Sequence, residues 1–127
     1  MKYSKATCIV GPTGSGKTEV AYKLARHAGG EVINLDKAYI YKGFSISTGL
    51  TDVLQYKDIK KHLYLLLDPD EPIYPPGEYI KMVKDAVRDI LSRNKLPIIE
   101  GGSTTYFPEL YKENQKSNFI SPIIGLL

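Results

Sequence analysis

Apolar positions fall into two kinds of run along the chain. Ala6-Thr-Cys-Ile-Val10, Glu31-Val-Ile-Asn-Leu35, Leu63-Tyr-Leu-Leu-Leu67 and Leu96-Pro-Ile-Ile-Glu100 are short and mostly apolar, as buried strands are. Other stretches repeat at helical spacing. Lys17 to Ala28 places Val20, Ala21, Leu24, Ala25 and Ala28 on one face, and Gly29-Gly30 stops it. Glu78 to Arg93 carries the clearest stripe, Ile80, Val83, Val87, Ile90 and Leu91, with Lys81, Lys84, Asp85, Arg88 and Asp89 opposite. Thr104 to Lys112 predicts a short helix, and Asn118 to Leu127 is apolar enough for one more strand.

Between these runs, Asp36 to Tyr56 has no strong period and reads as loop with a short helix. Asp68 to Gly77 holds Pro69, Pro72, Pro75 and Pro76 and must be loop. The first strand, helix and second strand follow within about 30 residues, which makes a βαβ unit with parallel strands. The pattern predicts a single three-layer α/β domain over residues 1–127, a parallel sheet flanked by helices.

Composition adds exclusions. At 127 residues, 43% hydrophobic and 24% charged, the chain can form one core without a disulfide or metal staple. A net charge of +3 without a lysine or arginine run does not announce a nucleic-acid binder. One cysteine, Cys8, rules out a disulfide framework, and its apolar setting reads as a small buried hydrophobe. His27 and His62 have no partner at ligand spacing and read as structural. No N-terminal apolar run is long enough for a signal peptide or membrane span, so a cytoplasmic protein with no membrane partner is expected.

The chemistry enters with Gly11-Pro-Thr-Gly-Ser-Gly-Lys-Thr18, a full match to G-x-x-x-x-G-K-[ST] between a strand and a helix. Glycines let successive N–H groups converge on one anion, and the helix N-terminus adds partial positive charge. Lys17 supplies an ammonium for phosphate oxygens, and Thr18 a hydroxyl for Mg²⁺. The motif does not say which phosphate compound binds. A small kinase of a nucleotide or metabolite is one reading, and a phosphate-binding fragment of weak activity another. A kinase would want an acid at a strand end, for which Asp68 and Glu100 are candidates, and arginines on a lid. The arginines here, Arg26, Arg88 and Arg93, all lie on or at the ends of helices, which weakens that reading.

Further segments narrow the choice. Asp36-Lys-Ala-Tyr-Ile-Tyr-Lys-Gly43, Ser47-Thr48, His62 through Leu67-Asp68-Pro69, and Pro97-Ile-Ile-Glu-Gly-Gly-Ser103 follow the glycine-rich motif in order. Together they resemble the dimethylallyl (isopentenyl) transferases, over roughly residues 6 to 112. The resemblance implies a P-loop NTPase-like α/β core and transfer of a dimethylallyl group from dimethylallyl diphosphate to N6 of an adenine. The acceptor is an adenosine in tRNA in one branch of the family and a free adenine nucleotide in the other, where the product is a cytokinin precursor. Ile40 to Gly43 and Leu67 to Pro69 look like the first branch. Lys37, Ser47-Thr48-Gly49 and Glu100 to Thr104 look like the second.

The resemblance also assigns roles. Gly11, Thr13, Gly14, Ser15, Gly16, Lys17 and Thr18 would hold the diphosphate, with Mg²⁺ on Thr18. Asp36, just after the second strand, would accept the proton from the adenine N6, and Ser103 would donate to the diphosphate. With Lys17 these form the expected catalytic set. Lys37, Tyr41 and Thr48 would meet the acceptor, and Tyr39, Tyr41 and Phe44 could line a prenyl or adenine pocket. Glu100 reads as mainly structural. Family members are considerably longer, so a C-terminally truncated domain is expected, one that binds diphosphate but turns over poorly alone. Its last apolar strand would leave an edge open to self-association.

Overall fold

The computed structural model describes residues 2–12, 14–43 and 56–127. Among these residues five strands form one sheet: β1 (Ala6–Val10), β2 (Gly30–Asn34), β3 (Lys61–His62), β4 (Leu96–Gly101) and β5 (Ile120–Gly125). Their order across the sheet is β3-β2-β4-β1-β5, with every pairing parallel. Among the described residues three helices cover it: α1 (Lys17–Ala28), α2 (Pro76–Ser92) and α3 (Phe107–Ser117), with a 3-10 turn at Lys37–Ile40. Among the described residues no helix is long and apolar enough to cross a membrane.

Alternation along the strands divides the core between the two faces. Cys8, Val10, Ile33, Leu35 and Ile99 pack with Tyr79, Ile80, Val83, Val87 and Ile90 of α2 and Leu110 of α3. Ile9, Val32 and Ile98 turn the other way, onto Ala21, Tyr22 and Ala25 of α1. The three layers and the parallel sheet expected from the sequence are therefore present. Cys8 is fully buried, and burial, reinforced by the charge of Glu100, pushes its thiol up to about 12.

Several boundaries differ from the sequence reading. The buried face of α1 runs through Tyr22 and leaves Val20 exposed. Tyr22 stacks on Tyr56 at 4.9 Å between ring centroids, so an aromatic partner distant in sequence rotates the helix face. α2 begins at Pro76, where the fixed φ of proline suits the first turn. α3 starts at Phe107 and runs on through Glu-Asn-Gln-Lys-Ser, a polar stretch without a stripe, until Asn118 takes a left-handed conformation (φ 48°).

The third strand is a correction. Leu63 to Leu67 is not a strand; β3 is the dipeptide before it. Leu63 and Leu65 have positive φ (67° and 55°), which no strand tolerates. The amides of Leu65, Leu66 and Leu67 bond instead to the carbonyls of Tyr39 and Ile40, so the segment braces the 3-10 turn. Leu65 and Leu66 point outward, and only Leu67 is buried, in an isolated bridge to Tyr41.

The end of the sheet where β2 begins is locked by charge. Glu31, buried at 3% exposure, accepts from Arg93 Nη2 at 2.8 Å, pairs with His62 Nε2 at 2.7 Å, and bonds Arg93 Nη1 with its other oxygen. Burial alone would raise its carboxyl, but the Arg93 and His62 contacts outweigh that and hold it down to about 2. His62 and Arg93 thereby hold the end of β2 opposite Asp36.

Candidate active site

The strand order decides what meets at the other end of the sheet. β4 lies between β2 and β1, so the segments leaving all three C-termini are neighbours. In open parallel sheets that edge is where ligands bind. β1 runs into the glycine-rich loop, β2 into Asp36, and β4 into Gly101-Gly102-Ser103.

The loop is held to the sheet by the Gly11 amide, which donates to Gly101 O at 3.3 Å. Gly14 and Gly16 have φ of 83° and 86°, a region where any Cβ would be strained. Gly16 is the N-cap of α1, and no side chain among the described residues caps that helix. The first-turn amides therefore keep their donor capacity for another acceptor. Lys17 is buried, its Nζ folded back to Pro12 O at 3.4 Å. Ser15 Oγ is buried with no hydrogen-bond partner among the described residues. Thr13 lies outside the described residues.

Asp36 is fixed from both sides. Its amide donates to Asn34 Oδ1 at 2.8 Å, and its Oδ1 accepts from the Ala38 amide at 3.0 Å, capping the 3-10 turn. Beside it, Gly101 passes so close that a Cβ there would stand 2.6 Å from the carbonyl carbon of Leu35. Only glycine lets β4 and the β2 end approach this far. A cleft of about 220 Å³ opens above, lined by Gly11, Pro12, Asp36, Lys37, Gly102 and Ser103, with Leu35, Thr104 and Thr105 completing the wall. Lys37 and Ser103 are exposed in it. Thus the structure brings the carboxylate of Asp36 to the same side of the sheet as the start of the loop.

The isopentenyl transferase family model matches residues 4–124. The chain belongs to the isopentenyl transferase family. Over 102 residues it is 38% identical to the tRNA dimethylallyltransferase of Koribacter versatilis (strain Ellin345), covering 80% of this chain and 33% of that relative. A solved tRNA delta(2)-isopentenylpyrophosphate transferase from Staphylococcus epidermidis superposes with a TM-score of 0.76 at 33% identity, over 85% of this chain and 35% of that one. A eukaryotic dimethylallyltransferase acting on tRNA gives a TM-score of 0.74 at 31% identity, over 85% of this chain and 26% of that one. The chain thus spans about a third of the length of the curated relatives it matches.

Not every expected residue joins the cleft. Tyr41 packs against the α2 side of the core and its hydroxyl donates to Glu71 O at 2.9 Å, so it is not among the lining residues. Tyr39 is buried on the α1 side, its ring stacked on Tyr64 at 6.2 Å. Phe44, Ser47 and Thr48 lie outside the described residues. Conversely, Glu100 is more than a core residue. It is fully buried beneath the loop and its Oε1 accepts from Thr18 Oγ1 at 2.8 Å. Burial raises its carboxyl; the Thr18 hydrogen bond and the Lys17 charge oppose this without cancelling it. The signal in the sequence was strand parity: Leu96, Ile98 and Glu100 share one face, the face α1 covers.

A magnesium ion fits these groups. It prefers oxygen ligands and keeps several from water and phosphate. Thr18 offers a hydroxyl backed by a carboxylate, and the unpartnered Ser15 Oγ lies in the same loop. Among the described residues no cluster of three or more His, Cys, Asp or Glu could hold a metal alone, so the ligands beyond Thr18 would come from bound phosphate and water.

Proposed function

We propose that this chain holds the diphosphate of dimethylallyl diphosphate in its glycine-rich loop and carries the prenyl-transfer site for the N6 amine of an adenine in tRNA. The observation that carries the reading is the shared cleft, with Gly11 and Pro12 on one wall and Asp36 and Ser103 on the others. The names of the relatives described above, tRNA dimethylallyltransferases and a tRNA isopentenylpyrophosphate transferase, favour tRNA over a free nucleotide as acceptor.

The chemistry follows from where charge develops. The allylic C–O bond breaks, carbon becomes positive, and the leaving diphosphate gains negative charge. Uncapped amides at the α1 N-terminus and the Lys17 ammonium stabilise that charge. Magnesium at Thr18, when bound, would neutralise more of it. The adenine N6 lone pair is delocalised into the ring, so the amine is a weak nucleophile. Asp36 orients it and accepts its proton as the N–C bond forms. Capping the 3-10 turn occupies Oδ1 and leaves Oδ2 toward Gly102 for this task. Ser103 adds a hydroxyl for the diphosphate, and Lys37 a cation for the acceptor's phosphate.

The kinase alternative loses support from the arginines. Arg26 is paired with Asp58, Arg88 with Asp85, and Arg93 with Glu31 at the far end of β2, so none lines the cleft. One incubation tests the choice. The chain is given dimethylallyl diphosphate with an adenosine-containing tRNA stem-loop or with AMP and, separately, ATP with the same acceptors. A prenyl mass increment on the stem-loop, absent with Asp36→Asn, is expected. A phosphoryl increment from ATP, or a prenyl increment undiminished by Asp36→Asn, overturns the proposal.

A further inference from the structure

Asn34 is the last residue of β2 and is fully buried, and its side-chain amide holds two stretches of backbone. Its Oδ1 accepts from the Asp36 amide at 2.8 Å, while Nδ2 donates to Asp36 O at 2.9 Å and to Leu63 O at 3.1 Å. A primary amide has one oxygen acceptor and two N–H donors, which is the set these three backbone groups require. The reverse orientation would set oxygen against two carbonyls, so the network fixes which way the amide points. The Asn34 carbonyl in turn accepts from the buried Tyr79 hydroxyl, which ties this point of β2 to α2.

This clamp falls where the sheet stops guiding the chain. The Leu35 amide still donates across to Glu100 O, but the next amide, that of Asp36, turns to the Asn34 side chain instead. Asp36 O is shared between Asn34 Nδ2 and the Tyr39 amide, and Asp36 Oδ1 is taken by the Ala38 amide. Backbone and carboxylate are thus both fixed, with Oδ2 left toward Gly102 in the cleft. Leu63 adds a second brace: its φ is 67°, and its carbonyl meets Asn34 from 29 residues away. A turn that merely ended β2 would need only the bond to the Asp36 amide. We propose that Asn34 is a positioning residue for prenyl transfer, holding the Asp36 backbone so that Oδ2 meets the acceptor amine, with no part in gripping the diphosphate. The inference rests on the reading of Asp36 as the group that receives the N6 proton.

Two measurements on the full chain test it, with Asn34→Ala as the main variant. Amide hydrogen exchange reads the clamp: the Asp36 and Ala38 amides exchange about tenfold or more faster, while those of Cys8 and Ile99 in the sheet stay within about threefold. Single-turnover prenyl transfer from dimethylallyl diphosphate to an adenosine-containing tRNA stem-loop reads the chemistry. Its maximal rate falls about tenfold or more, because a reacting group has been misplaced. The half-saturating donor concentration, and calorimetric affinity for pyrophosphate with Mg²⁺, stay within about threefold. Ile90→Val, a truncation in the buried stripe of α2, controls for lost stability and leaves the rate within about threefold. Wild-type exchange at Asp36 overturns the proposal. So does a wild-type prenyl rate in Asn34→Ala, a loss of rate matched by an equal loss of pyrophosphate affinity, or the same loss of rate in Ile90→Val. Should Asn34→Ala unfold, Asn34→Ser, which gives up the reach to Leu63, decides by the same measurements. Where transfer by the chain is too slow to measure, the exchange result decides. A prenyl rate undiminished by Asp36→Asn overturns the reading of Asp36 itself, and this inference with it.

Discussion

Replacing Gly101 by alanine should damage both the sheet and the site, and the size of the effect can be worked from contacts. The new Cβ would stand 2.6 Å from Leu35 C, 2.7 Å from Asp36 N and 2.8 Å from Leu35 Cβ. Two of these atoms are backbone, which cannot swing aside, so the end of β2 must retreat by the better part of an ångström. That movement stretches the bond from the Leu35 amide to Glu100 O, now 2.8 Å, beyond good hydrogen-bonding range. Overpacking of this kind costs about 1–3 kcal/mol, and the weakened bond about 1 kcal/mol more. With a urea slope of about 2 kcal/mol/M, the unfolding midpoint should fall by roughly 1–2 M. Gly102→Ala is the matched control. Its nearest non-neighbour is Asp36 Oδ2 at 4.0 Å, an ordinary contact, and its stability should change by less than about 0.5 kcal/mol. The assay is urea unfolding followed by far-UV circular dichroism. Equal midpoints for Gly101→Ala and the wild type would refute the claim that β4 and the Asp36 turn are in closest approach.

Two further predictions concern buried titratable groups. Glu31 is held at about 2 in the fold against 4.5 for the free side chain, so its stabilisation is complete above 4.5 and is lost as pH falls toward 2. The shift corresponds to about 3 kcal/mol, so the wild type should lose that much on acidification while Glu31→Gln, weaker near neutrality, shows a flatter profile. Parallel pH profiles for the two in urea unfolding would show the ion network to be idle. Cys8, with its thiol pushed up to about 12, should react with an aromatic disulfide reagent only as fast as the chain unfolds. Rapid modification of the folded protein would place β1 at the surface.

Much of this was legible in the sequence because the signals were local. The glycine-rich loop needs residues whose spacing is set by one turn of chain, and the α2 stripe repeats every three or four positions; both are where the pattern put them. Asp36 could be placed because parallel strands all end on one edge. What was not legible depended on partners remote in sequence. The leucines of 63–67 look like a strand, yet their amides serve the carbonyls of Tyr39 and Ile40, and two of the side chains face outward. Tyr22 replaces Val20 in the core because Tyr56 waits to stack on it. Glu100 read as mainly structural because the hydroxyl that bonds it, Thr18, stands 82 residues earlier in the chain.

In the proposed function the loop before α1 grips the diphosphate while Asp36, across the end of β4, serves the acceptor and not the anion. Titration of inorganic pyrophosphate into the chain tests it most directly, comparing the wild type with Lys17→Ala and Asp36→Asn in the presence of magnesium. Lys17→Ala should weaken binding by about tenfold or more, since it removes a charged hydrogen-bond donor, while Asp36→Asn binds as well as the wild type or better. Binding lost in Asp36→Asn but kept in Lys17→Ala would contradict the account.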